Sequence, residues 1–155
     1  MIRALRQSFG CGLLAMTLGF SCANGGIQKL NLPFGKSCLY APIFVDQTTG
    51  QIAPELFETL NRRLYARAPS VFSYEYTEGC AVIDGTVLNL VEKDDEMMVR
   101  IEALLKDKDG HREALGSFSR TMAIKKTRAE TIRALSAALA EDLLNAIADR
   151  QRAAL

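Results

Sequence analysis

The side chains able to do chemistry are few in this sequence, and their spacing suits binding better than reaction. His111 is the one histidine, so neither a histidine-rich metal site nor a Ser-His-Asp triad can be assembled. The four cysteines, Cys11, Cys22, Cys38 and Cys80, include no C-x-x-C pair of the kind a zinc site needs. No glycine-rich phosphate loop is present, because Gly25-Gly26 falls in a polar stretch near the N-terminus. Asp94, Asp95 and Glu96 crowd one turn, where charge marks a solvated connection. No catalytic residue, metal or cofactor is therefore expected, and the chain does not read as an enzyme.

What remains is positive charge. Lys106, Lys108, His111 and Arg112 gather around one turn, with Asp107 and Asp109 between them. Arg120, Lys125, Lys126 and Arg128 form a second group further on. Ammonium and guanidinium groups are what a phosphorylated sugar needs. The alternative is a solvated hairpin of mixed charge. With a net charge of +1, nucleic acid is not an expected partner.

The N-terminus carries a different kind of signal. Arg3 and Arg6 precede an apolar run of about ten residues, CGLLAMTLGF, too short for a bilayer core that needs roughly 20. Residues 1–21 thus read as a secretory signal peptide. Ser21 supplies the small residue before Cys22, which marks Cys22 as a lipidation site; the alternative is an ordinary cleaved signal with a free cysteine. Acyl chains on that thiol contribute roughly 0.8 kcal/mol per buried methylene to membrane binding. Ala23, rather than an aspartate, points the anchor to the outer membrane on its periplasmic side. Residues 22–36 form the tether and 37–152 a single domain. Cleavage removes two arginines and no acids, leaving 17 − 18 = −1. Export also places Cys38 and Cys80 in an oxidising compartment. There they either form a disulfide, closing a loop of about 43 residues for roughly 4 kcal/mol, or remain separate buried thiols.

The elements that position these residues follow from periodicity. Residues 38–45 are nearly continuous in apolar character and read as a buried strand, with Pro42 an irregularity in it. Pro54 opens a helix whose Leu56, Leu60 and Leu64 repeat at helical spacing, and Pro69 closes it. Residues 71–76 are aromatic and β-branched, and predict a second strand. A strand over 80–92 follows, with Gly85 marking a bulge or a close backbone approach. Met97, Val99, Ile101, Ala103 and Leu105 alternate with wetter residues, and Asp109-Gly110 turns the chain into a return strand over 111–125. That strand sets Ala114, Gly116, Phe118 and Met122 on one side and Leu115, Ser117 and Ser119 on the other. Thr127 and Glu130 make a capping box for a last helix carrying Leu135, Leu139 and Leu143. The expected fold is α+β: two helices on one face of a mixed, mostly antiparallel sheet, in the order β-α-β-β-β-β-α or a close variant.

This order resembles the LptE family of lipopolysaccharide-assembly lipoproteins. The segments that carry the resemblance are LYAPIFVDQT, APELFETLNRRLYAR, CAVIDGTVLNL with its Gly-Thr-Val, and the closing TRAETIRALSAALAEDLLNAI, together spanning roughly residues 32–148. It implies an outer-membrane lipoprotein, an LptD-like β-barrel as partner, and lipopolysaccharide as ligand. A different class shares a similar strand–helix architecture: peptidoglycan-synthase activators and curli-secretion lipoproteins, which act as regulatory or pore-forming binders.

Overall fold

The computed structural model of the protein describes residues 32–48 and 51–153. The signal stretch 1–21, Cys22, tether residues 23–31, and Thr49 and Gly50 of the first turn lie outside the described residues. Among those described, no helix is long and apolar enough to cross a membrane.

A single tight turn at Pro33–Gly35 leads into β1 (Cys38–Tyr40) and β2 (Val45–Asp46). Helix α1 (Ile52–Arg67) follows, then β3 (Cys80–Lys93), β4 (Glu96–Lys106), β5 (Arg112–Ala123) and α2 (Arg128–Ala153). The sheet runs β1-β3-β4-β5, with β2 also pairing β3. β1 and β2 lie parallel to β3; β3, β4 and β5 are antiparallel. The fold is α+β, with two helices and a mixed five-stranded sheet.

Two expected strands differ from what forms. The strand over 38–45 is divided at Pro42, which has no N–H to give a ladder. The divided backbone is held from the helix, where Asn61 Nδ2 donates to the Ala41 carbonyl at 3.3 Å. Residues 71–76 do not form a strand. Phe72 makes one bridge to Leu39, with Leu39 N donating to Val71 O at 2.7 Å and Ser73 N to Leu39 O at 2.9 Å. The Ser73 hydroxyl then accepts from Glu75 N at 3.3 Å and donates to Glu75 O at 2.7 Å, curling the chain away from the sheet. The element order is therefore β-β-α-β-β-β-α.

β5 also departs from its expected alternation. Leu104 pairs with Ala114 and Ala103 with Gly116, so Leu115 is an extra residue. Gly116 takes φ +132, a conformation side chains rarely allow. The bulge turns Leu115 into the core, 6% exposed, instead of out beside Ser117. A second bulge leaves Leu88 unpaired in β3.

The helices start where carboxylate or hydroxyl oxygens meet their free N–H groups. Asp46 Oδ2 accepts from Ala53 N at 3.3 Å, reaching α1 from seven residues upstream. Thr127 Oγ1 accepts from Glu130 N at 3.1 Å at the start of α2. Glu55 pairs with Arg133 at 3.5 Å, while Arg63 and Arg67 both pair with Glu141. Positions rise together along both helices, so α1 and α2 run in parallel. Their apolar stripes, including Leu56, Leu60, Leu135 and Leu139, meet Ile83, Val87 and the alternating β4 residues in one core.

Gly85 has an ordinary φ and is needed for space. A Cβ there would enter the ring of Phe44, which the Pro42 interruption turns inward over β3. Gly85→Ala should lower unfolding stability by about 1–3 kcal/mol, the cost of overpacking. A lower urea midpoint with an unchanged m-value would show it, and an unchanged midpoint would mean the ring moves freely.

Candidate functional site

Cys38, Cys80 and the first basic group singled out from sequence converge on one end of the sheet. Cys38 and Cys80 face each other across the parallel β1–β3 pair and are bonded, 42 positions apart in sequence. On the loop-entropy model this stabilises the domain by about 4 kcal/mol. Thr77 Oγ1 lies 3.2 Å from the Cys80 sulfur and 3.5 Å from that of Cys38.

Beside the disulfide stands the β4–β5 hairpin, built around the Asp107 carboxylate. Gly110, at φ +87, turns the chain there. Asp107 Oδ1 accepts from Asp109 N at 2.9 Å and His111 N at 3.0 Å; Oδ2 lies 2.9 Å from His111 Nδ1. The segment before β1 clamps onto this tip. Lys36 Nζ sits 3.5 Å from Asp107 and 3.4 Å from Asp109, and Phe34 stacks on the His111 ring at 5.7 Å. Ligand atoms of Asp107, Asp109 and His111 lie within 4.8 Å of one another, the geometry of a small cation site. The Lys36 ammonium already provides the positive charge there.

The basic residues of the hairpin come together, but most bring an acid with them. Lys108 bonds Glu78 at 2.7 Å and Lys106 bonds Asp84 at 2.6 Å. Arg112 is exposed, and no ion pair to it is found among the described residues. The Lys108 hydrogen bond, then its charge, holds the Glu78 carboxyl below its ordinary value, and Glu78 in turn raises Lys108. Burial pushes the Asp107 carboxyl up. The hydrogen bonds from His111, with the His111 and Lys36 charges, outweigh burial and leave it lowered. The second basic group behaves similarly. Arg120 bonds Asp142 at 2.6 Å, which raises its pKa, and Arg128 pairs with Glu92. Both tie strands to α2. Lys125 and Lys126 remain exposed and stand apart from the hairpin.

Two features were not read from the sequence. The sheet face away from the helices carries a groove of about 310 Å³, lined by residues including Asp84, Thr86, Glu102, Leu104 and Ser117. The bulge at Leu115 brings Ser117 opposite Glu102 to shape it. Such a lining offers hydrogen-bond acceptors and shallow apolar contact. The other feature is a cluster of rings. Tyr65 lies 6.4 Å from Phe72 and 6.1 Å from Tyr74, Phe72 is 4.6 Å from Tyr74, and Tyr40 is 5.9 Å from Tyr76. Its sequence signal is the aromatic density of residues 71–76, which predicts a strand.

No family model and no curated protein sequence matches the chain. Solved structures do share its fold. PelC from Paraburkholderia phytofirmans, solved as a dodecamer, is 14% identical over 70% of this chain and 87% of its own, with a TM-score of 0.50. The hypothetical protein CT253 from Chlamydia trachomatis is 8% identical over 75% of this chain and 96% of its own, also at 0.50. A minor lipoprotein from Acinetobacter baumannii is 14% identical over 74% and 95%, at 0.45. For PelC and CT253, at these identities, the likeness is one of fold.

The lowered Asp107 carboxyl gives the hairpin an acid limit. A depressed folded-state pKa contributes stability that is complete above the ordinary carboxylate value, near 3.9, and lost as pH falls through the folded value. Asp107→Asn should lower the melting temperature near neutral pH and flatten its fall below about pH 4. Parallel pH curves for the two proteins would remove Asp107 from the acid response.

Proposed function

We propose that this chain is a lipoprotein held by acyl chains on Cys22 at the periplasmic side of the outer membrane. There it acts by non-covalent docking, as partner of an LptD-type β-barrel in lipopolysaccharide assembly. The observation that carries the docking reading is how the reactive and charged side chains are engaged. The disulfide, the Asp107 hairpin and the strand-to-helix ion pairs are structural bonds, while the grooved sheet face lies open on the side away from both helices. A partner meeting that face would need shape and hydrogen-bond complementarity, and no turnover. Affinity purification of the tagged protein from solubilised membranes should recover an LptD-like barrel. Recovery of a cell-wall synthase instead would replace this partner.

Lipopolysaccharide contact through the hairpin makes a narrower demand. An anionic sugar must compete with Glu78 for Lys108, whereas Arg112 offers a guanidinium without that competition. Arg112→Glu should therefore weaken lipopolysaccharide binding by about three- to tenfold, as loss of a charge-assisted contact does, with little change in melting temperature. The pair Lys108→Glu with Arg112→Glu should weaken it further. Unchanged binding in both would leave the hairpin a purely structural element.

A second reading is favoured by the shared fold with PelC, which is solved as a dodecamer. In this chain β5 is the last strand of the sheet among the described residues, with 12 residues along an open edge. Such an edge can pair with another copy. Mass measurement of the complex extracted from membranes separates a one-to-one barrel complex from a ring of identical chains.

A further inference from the structure

All four tyrosines of the chain lie around one loop at the disulfide end of the domain, Tyr65 and Tyr74 grouped with Phe72 and the half-buried Tyr40 beside Tyr76. Tyr74, Tyr65 and Tyr76 are 67%, 55% and 48% exposed, with Phe72 packed beneath Tyr74 and Tyr40 beside Tyr76. Two of these rings stand on the loop that Ser73 curls away from the sheet. That loop continues through Glu78, which Lys108 bonds, to the hairpin gripped by Lys36. The tyrosine loop, the hairpin tip and the entry of the tether thus form one surface.

The length of chain before this surface limits what it can face. Leu32 is buried in the core, ten positions after Cys22. Ten residues reach at most about 36 Å. The opposite end of the domain, at the Asp94–Asp95 turn, lies a full β3 away, and 14 residues of strand extend about 45 Å. A tether from Cys22 can bring the tyrosine end to the bilayer and cannot bring the far end there. Tyrosine suits that location, because its ring prefers the headgroup region while its hydroxyl stays hydrated.

We infer that this tyrosine cluster rests in the headgroup layer of the membrane that holds Cys22, so that the domain meets the bilayer by its disulfide end. The inference depends on the Cys22 anchor proposed above. With no tryptophan in the chain and every tyrosine in the cluster, intrinsic tyrosine emission reports on this surface alone. The acylated full-length protein is placed in vesicles of phosphatidylethanolamine and phosphatidylglycerol, with or without a lipid spin-labelled near the headgroup.

Iodide quenching should fall on going from the unacylated Cys22→Ser protein in solution to the acylated protein in vesicles, and the spin-labelled lipid should quench emission, as for rings at headgroup depth. Tyr74→Ser with Tyr76→Ser, at positions whose side chains are largely exposed, should abolish most of the lipid quenching while far-ultraviolet circular dichroism is unchanged. Protein that is acylated and vesicle-bound, yet as open to iodide as in solution, overturns the inference and leaves the anchor standing. A mass spectrum without acyl chains on Cys22 overturns both. Protection from iodide that grows with concentration in the unacylated Cys22→Ser protein, without vesicles, assigns the cluster to contact between copies, and also overturns it.

Discussion

The structure depends on one strand serving two kinds of partner. β3 accepts parallel neighbours, β1 and β2, on one side and the antiparallel β4 on the other. The antiparallel side is held by a long ladder closed by short turns. The parallel side has only five paired positions, separated by the Pro42 interruption, and parallel pairs need a long crossover to form. The Cys38–Cys80 bond sits at the first of those positions and fixes the register there. A slip of one residue would take Leu39 out of the core and put Tyr40 in its place. Phe44, seated on Gly85, fixes the same register from within.

Charge follows the same logic. In the sheet, Arg120 and Glu113 on β5 and Glu92 on β3 point toward the helices, each paired with a residue of α2. These pairs close the rim of a core that is apolar at its centre. At the other margin, Lys36 joins the segment before β1 to the hairpin, so the chain is bound to the folded unit by a side chain before it enters the sheet.

Much of this was legible from pattern. The alternation in β4, the leucine stripes and the Thr127 cap are local signals, and local signals decide local structure. Gly85 announced a close approach without saying which ring came near. The departures from the expected pattern share a cause. Ser73 outcompetes the ladder with its own hydroxyl, and Leu115 enters the core through a bulge that only Gly116, by its φ, makes possible. Neither has a periodic signature. The pairing of Lys106 with Asp84 and of Lys108 with Glu78 joins residues 22 and 30 positions apart. The sequence therefore showed a basic cluster, while its compensation became visible only with the strands in register.

The parallel course of α1 and α2 has an electrostatic consequence. In an antiparallel pair the two dipoles would oppose each other. Here both amino ends lie away from the tether and both carboxyl ends lie toward it, so two partial negative charges of about half a unit each add at the same end of the domain. Arg67 in the last turn of α1 and Arg150 near the end of α2 stand where they offset this field. The two dipoles thus add along the length of the domain, and charged side chains at both ends, the basic Arg67 and Arg150 at one and the acidic Asp94 and Asp95 at the other, stand against them.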